Sequence, residues 1–182
     1  TQAIMERYAS QLSYTVSEPD RGISDAFNKG IAQAKGDLVG LLNAADYYTS
    51  GALDAVQSQY NGADIVYADM ETIVNDKSDG TFRPDHRLLR EDMTLCHPAT
   101  LIRRDAYAKW GLYRTEYKLA MDYELLLRFF LAKASFQKLN MTMTCMPMDG
   151  VSNVHWKAAL AEVHKAQEEQ MGKSLAQSTK AF

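Results

Sequence analysis

Three features are scarce in this 182-residue sequence, and each scarcity excludes a class of protein. Basic residues are not in excess, since 20 Lys and Arg stand against 23 Asp and Glu, which disfavours binding to nucleic acid through its phosphates. The two cysteines, Cys96 and Cys145, are far apart, so they form neither a disulfide framework nor a zinc-knuckle spacing. No apolar run reaches the roughly 18 residues that a membrane-spanning helix needs.

The remaining composition is that of an ordinary globular domain. Hydrophobic residues make up 46% and charged residues 24%. The length suits a single domain, residues 1–182, that buries a sizeable core. We expect both thiols to be reduced and partly buried, because free cysteines behave as small hydrophobes. Reduced thiols fit a cytoplasmic location, and no secretory signal is visible.

Hydrophobic periodicity predicts that short strands alternate with helices along the chain. Strands are predicted over residues 12–17, 37–42, 63–73, 94–102 and 136–148, with a polar turn over 75–80. Helices are predicted over residues 2–10, 24–34, 104–110, 122–132 and 154–171, with another from about residue 50 and frayed residues after 172. Ser24 is the predicted N-cap of the second helix. This alternation predicts an α/β fold with a parallel sheet.

Polar side chains follow the first three predicted strands, where a parallel sheet binds its ligands. They are Glu18, Asp20, Arg21, Asp25, Asn28 and Lys29, then Asn43 and Asp46, then Asp69. If they lie together at one edge of the sheet, their oxygens suit a hard divalent cation. Such a cation would neutralise the charge of a diphosphate. Each residue also has a plainer interpretation: a turn residue, a strand-end cap, or a surface ion pair of about 0.3–0.5 kcal/mol.

Four stretches carry a more specific pattern. Residues 17–48 read SEPDRGISDAFNKGIAQAKGDLVGLLNAADYY, and three later stretches are CHPATLIRRDAY at 96–107, MDYELLLR at 121–128 and DGVS at 149–152. In this order they resemble the inverting family-two glycosyltransferases that build bacterial cell-envelope polysaccharides. The resemblance covers most of residues 1–172. It implies a GT-A fold: α/β, with a Rossmann-like, mostly parallel sheet flanked by helices.

The resemblance also implies a role for individual residues. Asp122 would be the general base that deprotonates the acceptor hydroxyl, and His97 would lie on the acceptor side near the cleft floor. The donor would be bound by Asp20, Asp25, Asn28, Lys29, Asn43 and Asp46. Residues 1–75 would form the nucleotide-sugar side, and residues 76–182 the acceptor side and C-terminal helix. Asp122 can also be a simple helix N-cap, and a lone histidine such as His97 is more often structural.

The implied reaction moves a sugar from a nucleotide-sugar, UDP-linked, to a saccharide or lipid-linked acceptor with inversion. The implied cofactor is Mn²⁺ or Mg²⁺. The resemblance leaves three points open. They are activity at the inner face of a membrane, peripheral membrane association, and a homodimer. The C-terminal helix mixes basic and acidic residues, which is more typical of a solvated face than of a membrane-surface helix.

The sequence departs from the family pattern at three places. By comparison with the family pattern, the sequence starts after the family's first strand and lacks about 40 residues, the length of one βαβ unit. We expect either that these residues exist outside the given sequence or that a partner covers the gap. Ala45 stands in the D-x-D slot, where it cannot ligate a metal. Three alternatives stay open: Asp46, which follows it, is the substitute ligand, the metal is dispensable, or the protein is inactive. Met121 replaces the Glu before the base, and His155 is a misplaced match for the family's metal-binding His. Ala45 and the absent first unit favour one alternative, a catalytically inactive glycosyltransferase-like binding domain.

A second alternative is a small α/β hydrolase or phosphatase. The sequence argues against it, because it has neither a G-x-S-x-G elbow nor a Walker-type phosphate loop.

Overall fold

Strands and helices are interspersed along residues 2–148 and 155–173, the part of the chain that this computed structural model describes. The helices are α1 Gln2–Arg7, α2 Ile23–Gln33, α3 Ala52–Gln59, α4 Arg104–Trp110, α5 Met121–Leu131 and α6 Trp156–Met171. The strands are β1 Leu38–Gly40, β2 Tyr47–Tyr48, β3 Ile65–Val74, β4 Lys77–Phe82, β5 Thr100–Arg103 and β6 Phe136–Pro147. The predicted α/β class is confirmed.

The described strands form one mixed sheet in the order β1-β5-β3-β6-β2, with β4 paired to the end of β3. Only β3 and β6 pair in parallel, so the prediction of a mostly parallel sheet is wrong. The reason is that β5 lies between β1 and β3 and runs opposite to both. Strands β1, β3 and β6 nevertheless point the same way, so their carboxyl ends share one edge.

Alternate residues of β3 point to the two sides of the sheet and belong to two separate cores. Ile65 and Tyr67 face a large core shared with α2, α4, α5 and α6. Val66 and Ala68 face a smaller core covered by α3. Both faces of the central strand are therefore buried, which explains its nearly continuous apolar sequence.

Helix α5 is buried almost all round, as its apolar sequence predicts. Glu124 lies within it and is fully buried. Its carboxylate contacts Arg128 at 3.0 Å, Arg114 at 3.3 Å and Gln170 of α6 at 2.7 Å. A buried carboxylate needs such partners, so this network holds α5 and α6 together.

Two predicted strands differ from the structure. Residues 12–17 form no strand, and Leu12, Tyr14 and Val16 are all exposed. An alternating apolar pattern gives a segment one apolar face, but it does not provide the neighbouring strand that a β-strand must pair with. The strand predicted over 94–102 is confined to β5, since a 3₁₀ turn at His97–Ala99 with Pro98 precedes it. The polar turn predicted from residue 75 is a two-residue hairpin whose residues both have positive φ, followed by β4.

The predicted cap of α2 is also wrong. The helix begins at Ile23 after Gly22, which has a φ of 117° that favours glycine. Ser24 is instead buried and its hydroxyl donates to the carbonyl of Tyr117 at 3.3 Å. The DGVS turn, the predicted helix start at residue 154 and the predicted frayed end lie outside the described residues.

Candidate active site

A cavity of about 590 Å³ opens at the edge where β1, β3 and β6 end. Its polar lining includes Asn43 and Asp46 after β1, His97 before β5, and Asp122 at the start of α5. These four residues are separated by up to 79 positions in sequence, yet the fold brings them to one cavity. The predicted base, the predicted acceptor-side histidine and two predicted donor-side residues therefore lie together.

Asp122 occupies the first turn of α5. Its Oδ1 accepts a hydrogen bond from the backbone N–H of Tyr123 at 2.8 Å, and the side chain is half-buried. The carboxylate therefore moves with the backbone of the helix start, while it still reaches the cavity. This is a suitable position for a group that accepts a proton from a bound hydroxyl.

Asp46 closes a tight turn, in which its N–H donates to the carbonyl of Asn43 at 3.0 Å. Its Oδ2 is buried and has no hydrogen-bond partner among the described residues. Burial raises the pKa of Asp46, and hydrogen bonding from Asn43 and the charge of His97 oppose this effect. A buried carboxylate oxygen without a partner is costly unless a ligand satisfies it.

His97 lines the cavity and packs against two aromatic side chains. Its Nε2 lies 3.1 Å from the hydroxyl of Tyr113, and its ring stacks on Phe27 with centroids 5.2 Å apart. Burial lowers the pKa of His97, while the charges of Asp122 and Asp46 act in the opposite direction. The neutral imidazole is therefore favoured, and its contacts match the structural interpretation of a lone histidine.

Ala45 also lines the cavity and is exposed, beside Asp46. Its methyl group offers no ligand at the place where the resemblance expects a metal-binding carboxylate. Across the described ranges, no three His, Cys, Asp or Glu side chains are grouped to hold a metal ion.

The other predicted donor-side residues do not line the cavity. Asp25 accepts two bonds from Arg21, both at 3.1 Å, and these hydrogen bonds lower the pKa of Asp25. Lys29 contacts Glu18 at 2.7 Å and the carbonyl of Pro19 at 3.1 Å. These contacts fold the segment before α2 onto the helix.

Asp20 and Asn28 likewise bond within the protein. Asp20 Oδ1 accepts from the N–H of Gly22 at 2.8 Å, as a turn residue does. Asn28 bonds to both backbone groups of Tyr113. The donor-binding roles of Asp20, Asp25, Asn28 and Lys29 stay predictions, now beside a structural role for each.

Comparison with known proteins decides the class of this chain. The sequence profile of "Glycosyl transferase family 2" matches residues 1–111. The chain belongs to this family. The match includes the segment before α2 and the turn with Asp46, but it ends before α5.

Individual glycosyltransferases resemble this family member over part of their length. The PGL/p-HBAD biosynthesis glycosyltransferase of Mycobacterium tuberculosis is 29% identical over 118 residues, 62% of this chain and 45% of that one. An uncharacterized glycosyltransferase of the same species is 31% identical over 123 residues, 64% of this chain and 47% of that one. The chain thus spans about half the length of the curated relatives it matches.

The fold is shared with a solved structure. The crystal structure of S. aureus TarS 1–349 in complex with UDP-GlcNAc superimposes with a TM-score of 0.68 at 13% identity. The match covers 99% of this chain and 58% of that one. The expected GT-A-like fold of this family 2 glycosyltransferase is therefore confirmed.

Sequence reasoning missed most of the apolar wall of the cavity. Five of the nine methionines lie there, together with Phe82: Met70, Met93, Met121, Met146 and Met148. They come from β3, β4, α5, β6, the loop before β5 and the residue after β6, so no periodic pattern marks them as a group. Lys118 was also missed, and its ammonium donates to the carbonyls of Thr115 and Arg21 at 2.7 and 3.1 Å.

None of the helices within the described residues combines the length and the hydropathy that crossing a bilayer requires.

Proposed function

We propose that this family 2 glycosyltransferase moves a sugar from a UDP-linked donor to a saccharide or lipid-linked acceptor, with inversion at the anomeric carbon. One observation carries the proposal: Asp122 and Asp46 line the same cavity from two different elements. The fold shared with TarS, whose structure holds UDP-GlcNAc, supports the choice of a UDP-sugar. A lipid-linked acceptor of the cell envelope would place the enzyme at the inner face of a membrane.

Asp122 would act as the general base. Its carboxylate takes the proton of the acceptor hydroxyl, and that oxygen attacks the anomeric carbon from the face opposite the diphosphate. The new glycosidic bond forms as the bond from the anomeric carbon to the phosphate oxygen breaks. UDP leaves with the bonding electrons. A single displacement of this kind inverts the configuration.

His97 would support the acceptor side without exchanging a proton. Its neutral ring is held by Phe27 and by the hydroxyl of Tyr113, so it presents a fixed surface beside the base. A rigid floor helps to hold the acceptor hydroxyl within reach of Asp122, which is a large part of the rate enhancement in bimolecular reactions.

The residues present fit a divalent cation in one respect. The buried Oδ2 of Asp46 has no partner among the described residues, and carboxylate oxygens are ligands that Mg²⁺ and Mn²⁺ accept. Mg²⁺ is commonly bound by one or two carboxylates together with substrate phosphates. We propose that Asp46 would hold Mn²⁺ or Mg²⁺ with the donor. Such an ion would neutralise charge on the diphosphate.

Transfer from a panel of UDP-sugars tests the proposal, with release of UDP and the anomeric configuration of the product as readouts. Asp122→Asn should lower kcat by about 10²–10⁴-fold, the range for loss of a general base. The matched control is Asp54→Asn, which makes the same change at an exposed position in the first turn of α3. Wild-type kcat in Asp122→Asn, or a product with retained configuration, would contradict the proposal.

A second candidate function is donor binding without transfer. Ala45 favours it, because the cavity keeps one carboxylate where the resemblance expects two. UDP binding by calorimetry, combined with no transfer and no donor hydrolysis in Mn²⁺, would establish this function. Turnover with any UDP-sugar that is lost in Asp122→Asn would exclude it.

A further inference from the structure

The helix that carries Asp122 has no cap of its own. Its N-cap residue, Ala120, has no side chain that can accept from the backbone. The N–H groups at a helix start have no partner inside the helix and need one from elsewhere. The N–H groups of residues 118–120, directly before α5, find theirs on another helix.

That partner is the carboxylate of Glu162 on α6. Its Oε2 accepts from the N–H groups of Leu119 at 2.8 Å and Ala120 at 2.9 Å. The N–H of Lys118 donates to both oxygens at 3.0 Å. Three successive backbone N–H groups thus surround one carboxylate, and such charge-assisted bonds are stronger than neutral ones.

The bonded segment forms part of the cavity wall, whereas Glu162 does not line it. Lys118, Leu119 and Asp122 all contribute to the lining. Because Asp122 bonds to the backbone of the next residue, the direction of its carboxylate follows the backbone of this helix start. A change in the path of residues 118–120 would therefore displace the base.

We infer that Glu162 is a positioning residue that fixes residues 118–120 and thereby orients Asp122. The inference rests on the proposed function, because it takes Asp122 as the base. It assigns to α6, 40 residues beyond Asp122, an effect on the chemical step. A misplacement of a reacting group by about 1 Å can cost roughly 100-fold in rate.

The docking of α6 does not depend on Glu162 alone, so a variant at this position should fold. Gln167 is buried and its Nε2 donates to the hydroxyl of Tyr123 at 3.1 Å and the carbonyl of Glu91 at 3.0 Å. Glu169 accepts from the hydroxyl of Tyr117 at 2.8 Å. These contacts remain when the Glu162 carboxylate is changed.

The first test is Glu162→Gln, which keeps the size but replaces one acceptor oxygen with a donor NH₂ group. We expect kcat to fall about 10- to 100-fold, with KM for the donor and calorimetric UDP binding within about twofold of wild type. Glu169→Gln is the matched control, since it makes the same change on the same helix and leaves residues 118–120 bonded. Its kcat should stay within about twofold.

A double variant tests whether Glu162 acts through Asp122. In the Asp122→Asn background, Glu162→Gln should have little further effect on the residual rate, because both changes disable the same step. If Glu162→Gln lowers kcat by the same factor in both backgrounds, the inference is overturned, while the assignment of Asp122 as the base stands. Wild-type kcat in Asp122→Asn would instead refute the base, and the inference with it.

Hydrogen exchange gives a readout that needs no activity. The amides of Lys118, Leu119 and Ala120 should exchange faster in Glu162→Gln than in wild type, while amides within α5 keep their protection. Unchanged exchange at these three amides would show that Glu162 does not hold the segment, and would overturn the inference.

Discussion

Asn28 and Tyr113 exchange two hydrogen bonds across 85 residues of sequence. The Asn28 amide donates to the carbonyl of Tyr113 at 2.8 Å, and the Tyr113 N–H donates to Asn28 Oδ1 at 3.0 Å. The hydroxyl of the same tyrosine contacts His97 in the cavity floor. Asn28 thus joins α2 to the loop after α4, and it holds the tyrosine that contacts His97.

Asn28→Ala should lower the free energy of unfolding by about 1–3 kcal/mol, because two backbone groups of Tyr113 lose their partner. Urea unfolding measures the loss. Asn140→Ala is the control: Asn140 is exposed on β6, and its removal should change stability by less than about 0.5 kcal/mol. Unchanged stability together with a raised KM for the donor would assign Asn28 to donor binding instead.

Ala45→Asp should make UDP binding depend more strongly on Mn²⁺. The new carboxylate would lie beside Asp46 on the cavity wall and could supply a second ligand. We expect affinity for UDP in Mn²⁺ to rise at least about tenfold, or ~1.4 kcal/mol, by calorimetry. Ala44→Asp adds the same charge one residue away, outside the lining, and should have no such effect. Equal responses would indicate a general charge effect without a metal site.

The stability of the protein should fall as the pH decreases below about 6.5, in part through His97. Burial lowers the pKa of His97 in the folded state, so the unfolded chain binds more protons between the two pKa values. The contribution of His97 is therefore complete above the ordinary histidine pKa and is lost as the pH falls through the lowered one.

Urea unfolding at several pH values between about 5.5 and 7.5 should show a weaker pH dependence in His97→Gln than in wild type. Part of the dependence will remain, because burial also lowers the pKa of His86. A variant that keeps the full wild-type slope would indicate that His97 does not titrate differently on folding.

Gly40 lies against the side chain of Tyr48. A Cβ atom at position 40 would be 2.5 Å from the Tyr48 hydroxyl and 3.6 Å from the side chain of Leu101. Gly40→Ala should therefore destabilise the protein by about 1 kcal/mol, the low end for overpacking, since the hydroxyl is a side-chain end that can shift. Adding Tyr48→Phe should restore most of this loss. An equal loss in the Tyr48→Phe background would place the strain elsewhere.

Local patterns predicted those elements whose signal lies within one segment. The apolar run of residues 122–132 predicted α5, and the apolar pattern of residues 63–73 predicted β3, because burial shows in the spacing of apolar residues. The predicted strand at residues 12–17 failed since a strand needs a partner, and alternation does not report one. The predicted parallel direction of β5 was wrong for the same reason, because the sequence pattern does not report how a strand pairs with its neighbours.

Only part of the candidate site could be predicted from the sequence. Asp122, His97, Asn43 and Asp46 were identified by motif, and the fold places all four on one cavity. Asp25 and Asn28 belong to a motif just as specific, yet their side chains bond to Arg21 and Tyr113. A motif reports which residues occur together, whereas the direction of each side chain depends on neighbours remote in sequence.

By itself the sequence determined the α/β class, the family resemblance and the candidate base, since each depends on residue types at short spacing. The tertiary structure decided what depends on contacts between distant segments. It placed an antiparallel strand inside the sheet, left a buried oxygen of Asp46 without a partner among the described residues, and set Glu162 against the start of α5. Contacts between residues that are 40 or more positions apart leave no periodic pattern in the sequence.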